Sequence, residues 1–195
     1  MRIGIDLDGV LAEFIGPFLN FENQRYDTSV KREEVRNYDL TTVLRISHGQ
    51  LAQELNDFYN TPAFYHLLPI VGAQSATEEL AKHHQLYVIT SRPSEIHRAT
   101  KEWLEREYPA RFHSVHFSLD YLPDAISGRK DDLCRDLGIN VMIDDSLEYL
   151  NRCGAYVQQT ILFNQPWNRQ GDISSSLLQV DSWEEIIQIV NTSQP

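Results

Sequence analysis

No stretch of the sequence approaches the ~18 consecutive apolar residues that a membrane span needs. The start Met1-Arg2-Ile3-Gly4-Ile5-Asp6 also puts an acid where a secretory leader keeps an apolar run. The expectation is a cytoplasmic protein with no membrane partner. Cysteine is scarce too. Cys134 and Cys153 are the only two, in neither a C-x-x-C nor a zinc-type spacing, which excludes disulfide-stapled and zinc-ribbon frameworks. Each falls in an amphipathic helical stretch, so buried reduced thiols are expected. Basic residues are in deficit, 17 Lys and Arg against 28 Asp and Glu, for a formal net charge of -11. Binding to DNA or RNA polymers depends on lysines and arginines that neutralise phosphates, so a nucleic-acid polymer is excluded as partner. A small anionic substrate fits such a chain only where the site supplies a cation of its own.

What is present is ordinary globular composition, 42% hydrophobic and 23% charged, enough for one core with a small accessory lobe. Short apolar runs alternate with helical periods, the pattern of a parallel sheet with crossover helices. Strands are expected at Ile3 to Ile5, Leu86 to Ile89, Val115 to Phe117, Val141 to Ile143 and Ile161 to Phe163, making a sheet of about five. Helices are expected at Ala76 to His84, Ser94 to Tyr108, Asp131 to Leu137 and Leu147 to Cys153, with Gly138 and Gly154 where C-terminal caps belong. A last helix begins at Ser182, which forms a capping box with Glu185, and the tail from Asn191 to Pro195 is expected to fray. Between residues 11 and 69 the alternation fails. That segment holds helical stretches, no convincing strand, and a dense set of aromatics from Phe14 to Tyr65. It reads as a helical cap inserted after the first strand, leaving 1–10 and 70–195 as the core.

The sharpest local feature is Asp6-Leu7-Asp8-Gly9-Val10, directly after the strand Arg2 to Ile5. Two carboxylates one residue apart at a strand's C-terminal end point into the crevice where open α/β sheets bind ligands, and Gly9 allows a tight exit. A calcium loop does not fit, because Gly9 follows Asp8 at once and the incoming element is a strand. Three more groups lie at later strand ends. Thr90-Ser91-Arg92-Pro93 offers hydroxyls, backbone N–H groups and a guanidinium suited to phosphate oxygens. Lys130 opens a helix, and Asp144-Asp145-Ser146 ends an apolar run with adjacent acids whose burial is costly without a cation.

Acid pair, hydroxyl pair, lysine and acid pair, in that order, resemble the four motifs of the haloacid-dehalogenase superfamily. Within it the chain is similar to the 5′(3′)-deoxyribonucleotidases and their bacterial relatives. The likeness is carried by Asp6 to Ala12, by Pro62 to Ala73, by Thr90 to Pro93 and by Ile143-Asp144-Asp145, and that to the bacterial branch by Pro166-Trp167-Asn168 and Ser182-Trp183-Glu184-Glu185.

The resemblance implies a Rossmann-like α/β core under a small helical cap and a phosphohydrolase of small phosphate monoesters. It makes Asp6 the nucleophile, Asp8 the proton shuttle, and Thr90, Ser91, Arg92 and Lys130 the phosphate-binding groups. A phosphate dianion repels four acids unless a divalent cation is present. Mg²⁺ suits that role, with Asp6, the Asp8 carbonyl and Asp145 as its ligands and Asp144 supporting Lys130 or a bound water. A nucleoside monophosphate is the expected substrate, its base stacked on cap aromatics, with Phe64 leading and Phe18 and Phe14 next. A sugar-phosphate phosphatase, a phosphotransferase, a non-catalytic nucleotide binder on the same fold, and a homodimer all stay open at this stage.

Overall fold

The computed structural model describes all residues except 123, 170–176 and 193–195. Six strands form one parallel sheet: β1 Arg2–Ile5, β2 Gln85–Thr90, β3 Ser114–Phe117, β4 Val141–Asp144, β5 Gln159–Phe163 and β6 Leu177–Val180, in the order β3-β2-β1-β4-β5-β6. Because strand side chains alternate, the sheet is apolar on both faces, as parallel sheets are. Ile3, Ile5, Val88, Ile143 and Ile161 fill one core; Tyr87, Ile89, Met142 and Leu162 fill the other. The first face is covered by α5 Ala73–Ala81, α6 His97–Glu107 and α9 Trp183–Thr192, and the second by α7 Lys130–Leu137 and α8 Leu147–Cys153. Cys134 and Cys153 are free and buried between the last two.

The sheet corrects the expected strand number, about five, to six. The missed β6 is an edge strand of four residues whose middle pair is not buried, so Leu177-Leu178-Gln179-Val180 shows neither an apolar run nor an alternation. Helix ends shift by a few residues: α5 begins and ends three residues early, and a 3₁₀ turn at Ser94–Ile96 precedes α6. At the C-terminus Asn191 and Thr192 are still helical, and the remainder of the expected frayed tail lies outside the described residues.

Residues 11–69 are helical, with α1 Ile15–Tyr26, a 3₁₀ turn Arg32–Glu34, α2 Leu40–Leu44, α3 His48–Tyr59 and α4 Pro62–Tyr65. The two ends of this insertion run side by side. Glu13 N donates to Leu68 O at 2.9 Å and Ile70 N to Leu11 O at 2.9 Å. The core bonds this neck as well: Trp183 Nε1 donates to Val10 O and Trp103 Nε1 to Leu67 O, at 3.0 and 2.8 Å, and Tyr108 Oη gives Leu11 O a second bond at 2.8 Å. Buried indoles and phenols need such partners, so the neck and the sheet hold each other in register. Among the described residues no helix is long and apolar enough to cross a membrane.

Candidate active site

Strand order reverses between β1 and β4, and the crevice of an open α/β sheet lies beyond the C-terminal ends at that point. The chain puts acids on both sides of it. Asp6 leaves β1 with its N–H on Ile143 O at 2.9 Å, and Asp144 and Asp145 leave β4. Between them Lys130, the first residue of α7, reaches in with its Nζ on Asp6 Oδ1 at 2.6 Å and Asp144 Oδ2 at 2.7 Å. It is 1% exposed and Asp6 4%, so this lysine is no surface charge.

The remaining oxygens divide unevenly. Asp144 Oδ1 accepts from Ser146 N at 2.8 Å, and Asp145 Oδ2 accepts from Trp167 Nε1 at 2.9 Å. Among the described residues Asp145 Oδ1, which is buried, has no hydrogen-bond partner. Three buried carboxylates thus lie around one ammonium, which bonds Asp6 and Asp144 and not Asp145. Burial pushes the Asp6 carboxyl up to about 7, against the pull of Lys130, with Asp144 and Asp8 pushing the same way as burial. Asp145 moves up for the same reasons, burial first and then Asp6 and Asp144. Burial works against the charge on Lys130, but Asp144 and Asp6 hold its pKa well above the usual value. The cluster therefore carries excess negative charge that a cation would relieve. Asp6, Asp144 and Asp145 can each offer one oxygen, all within 4.8 Å of one another, and Asp145 Oδ1 is free to take a ligand. An all-oxygen donor set of this kind fits a hard divalent ion such as Mg²⁺.

Gly9 is dictated by the same crowding. Its φ is +85°, and a Cβ there would lie 2.2 Å from Asp145 Oδ2.

Arg92 is used differently from the sequence reading, which gave it to the phosphate. Its Nε and Nη2 donate to Asp8 Oδ2 and Oδ1 at 2.9 and 2.6 Å, and its Nη1 donates to Thr100 Oγ1 at 3.1 Å. Its guanidinium lies 4.9 Å from the centre of the Phe64 ring. The fork is thus committed to Asp8, and it orients that carboxylate bidentately. Thr90 Oγ1 accepts from Arg92 N at 3.3 Å, and Ser91 Oγ pairs with Ser118 Oγ at 3.0 Å.

Above these groups lies a cavity of about 280 Å³. Asp6, Asp8, Thr90, Ser91, Lys130 and Asp145 line one side of it, and Phe14, Val35, Tyr38, Leu40, Leu55 and Tyr59 from the insertion line the other. Of the three expected base-stacking residues only Phe14 reaches it. Phe18 is fully buried, 5.4 Å from Phe58, and Phe64 packs against Phe58 and Tyr59 with Arg92 on its face. Both rings belong to the core of the insertion, because their faces are taken by other side chains.

Sequence reasoning gave no role to Trp167, Tyr59, Tyr38 or Tyr149. Trp167 was visible only as part of a family-like Pro-Trp-Asn turn; its hydrogen bond spans 22 residues. Tyr149 lies in the first turn of α8 with its ring centre 4.5 Å from Lys130 Nζ, and burial raises its hydroxyl pKa to about 12.

A parallel six-stranded sheet with paired acids across its switch point and a helical insertion after β1 defines the haloacid-dehalogenase class of hydrolases. Solved structures share the fold. A haloacid dehalogenase-like family hydrolase from Streptococcus pneumoniae matches with a TM-score of 0.70 at 14% identity, over 97% of either chain. CbbY from Rhodobacter sphaeroides, solved in complex with phosphate, matches at 0.62 with 20% identity, over 95% of either chain.

Within that class the chain belongs to the family described as 5′ nucleotidase, deoxy (pyrimidine), cytosolic type C protein, whose model matches residues 1–194. The 5′(3′)-deoxyribonucleotidase of Bacillus subtilis strain 168 is 27% identical over 187 residues, 94% of this chain and 95% of that protein. The chain is a phosphoric monoester hydrolase.

Proposed function

We propose that the protein is a Mg²⁺-dependent 5′-nucleotidase of (deoxy)ribonucleoside monophosphates that works through a phosphorylated Asp6. The observation that carries this reading is the two-sided cavity: a phosphate end built from Asp6, Asp8, Thr90, Ser91, Lys130 and Asp145, facing an apolar, aromatic wall. The first can act only on the phosphoryl group. Choice of the rest of the substrate falls to the wall, where Phe14 and Tyr59 offer ring surface for a base at about 1 to 3 kcal/mol per stacked base. The insertion over residues 11–69 would then act as a specificity cap on the core formed by 1–10 and 70–195. Buried free thiols fit a reducing, cytoplasmic setting.

Asp6, Asp145 and the Asp8 carbonyl would hold Mg²⁺, which would supply the positive charge that lets a phosphate dianion approach the acids. Lys130, fixed by Asp6 and Asp144, adds positive charge beside the oxygens that become more negative in the transition state. Thr90 and Ser91 hydroxyls bind the remaining phosphate oxygens. An Asp6 carboxylate oxygen forms the new O–P bond as the ester O–P bond breaks, and Asp8 gives its proton to the departing ester oxygen, which leaves as a hydroxyl. A water molecule then attacks the phosphorus of the aspartyl phosphate and gives its proton to Asp8. Inorganic phosphate leaves and Asp6 is restored. Arg92 holds the Asp8 carboxyl at the cavity, and one of its two bonds to Asp8 opens while Asp8 carries the proton.

Arg92→Met is therefore expected to cost ~10²-fold in kcat on a nucleoside monophosphate and clearly less on p-nitrophenyl phosphate, whose leaving group needs little protonation. Steady-state kinetics with the two substrates would read this, and equal losses would leave Arg92 without a part in orienting Asp8. The substrate reading itself is tested by a phosphate-release screen over nucleoside monophosphates and sugar phosphates, with Mg²⁺ and with chelator. Turnover of nucleoside monophosphates in Mg²⁺ alone is expected. A clear preference for sugar phosphates would replace the nucleotidase reading with that of another small-ester phosphatase.

A further inference from the structure

Part of the wall opposite the phosphate end is a loop, residues 35–39, which brings Val35, Asn37, Tyr38 and Asp39 to the cavity and directly follows the 3₁₀ turn Arg32–Glu34. The loop contains no strand or helix of its own. Two contacts seat it on the sheet side. At its start the Arg32 guanidinium lies over the Trp167 ring, 5.6 Å from the centroid, and Arg32 Nη2 donates to Gln165 Oε1, with Glu13 Oε2 3.6 Å away. Near its end Tyr38 meets Tyr149 edge-on at 6.0 Å.

Both seats are tied to the phosphate end. Trp167 Nε1 holds Asp145 Oδ2, and Gln165 Nε2 donates to the carbonyl of Gly9 at 2.6 Å, within the turn that follows the nucleophile. The Tyr149 ring lies against Lys130. Each end of the loop thus rests on an aromatic side chain whose other neighbour is a charge of the reacting site. Arg32 contacts both Trp167 and Gln165, yet it does not line the cavity itself.

We propose that Arg32 is a positioning residue for substrate choice: it fixes the 35–39 wall to the Gln165–Trp167 turn, so that the wall stands at a set distance from Asp6 and Asp145. A planar, charged fork suits this task, stacking on the indole while it donates to the amide. The inference rests on the nucleotidase reading, because it concerns a substrate long enough to touch the wall. A nucleoside monophosphate spans from the phosphate end to residues 35–39 and depends on that spacing. A small aryl phosphate fills the phosphate end and does not.

The test is steady-state kinetics of Arg32→Met and Arg32→Lys in Mg²⁺ with a nucleoside monophosphate and with p-nitrophenyl phosphate, folding being checked by circular dichroism. For Arg32→Met the nucleotide KM is expected to rise about tenfold with kcat within about threefold, a loss of about 1.4 kcal/mol in binding, while the aryl phosphate keeps its kcat/KM within about threefold. Arg32→Lys retains the charge without the fork, so it should fall between wild type and Arg32→Met; it carries the test by itself where the methionine variant does not fold. A folded variant with unchanged nucleotide KM would overturn the proposal, and so would parallel losses on both substrates, which would make Arg32 a general support of the phosphate end. Wild-type protein that hydrolyses the aryl phosphate but no nucleoside monophosphate would sink the substrate reading and this inference with it. If the wild type hydrolyses both substrates and the Arg32 variants match it, this inference alone fails.

Discussion

Replacing Asp6 by asparagine is expected to lower kcat on any phosphate monoester by ~10⁴-fold or more while the protein stays folded. The substitution keeps the size of the side chain and removes the nucleophilic oxygen. It also removes one of the two carboxylates paired with a single buried ammonium, and Asp144 remains to pair with Lys130 at 2.7 Å. The thermal midpoint in chelator is therefore expected not to fall. Phosphate release and thermal unfolding of the same preparation separate the two effects. An Asp6→Asn protein with near wild-type turnover would reduce Asp6 to a ligand or a buried acid.

Lys130→Met is expected to damage both stability and turnover. With the ammonium gone, Asp6 and Asp144 stay buried without their shared partner, and removing one member of a buried ion cluster costs about 3 to 5 kcal/mol. Tyr149 loses the cation against its ring as well. Turnover should fall by ~10²–10³-fold, because the charge that faces the developing negative oxygens is lost. Urea unfolding in chelator, repeated in excess Mg²⁺, measures the first effect, and a partial recovery in Mg²⁺ is expected as the ion replaces some of the missing positive charge. A variant within about 1 kcal/mol of wild type in chelator would mean that the neighbouring acids do not depend on the lysine.

Much of this was legible in the sequence where the signal is local. Four strands, β1, β2, β4 and β5, announced themselves as short apolar runs because a central parallel strand is buried on both faces, whereas the edge strand β3 is only half-buried and showed just Val115 and Phe117. Asp6, Asp8, Asp144 and Asp145 stood out because acids at the ends of such runs have no structural reason to be there. Lys130 was harder, since a lysine at a helix start looks solvated until the fold brings it between two acids. What the sequence withheld was long-range pairing. Arg92 looked like a phosphate ligand because a guanidinium after a strand can be one; that it turns to Asp8, 84 residues away, is set by the packing of α6 and Phe64 around it. Phe64 stood in a family-like stretch, but ring chemistry does not reveal which face is already covered. Trp167 acquires its meaning only when the turn after β5 folds onto Asp145.

The most direct measurement is a rapid acid quench of the protein mixed with a nucleoside monophosphate labelled in its phosphate, in Mg²⁺ and in chelator, followed by mapping of the labelled peptide. Label on the peptide containing Asp6, appearing in Mg²⁺, absent in chelator and absent from Asp6→Asn, is the expected result. Hydrolysis of the nucleotide with no label on the protein at any time, or label that persists in Asp6→Asn, would contradict it.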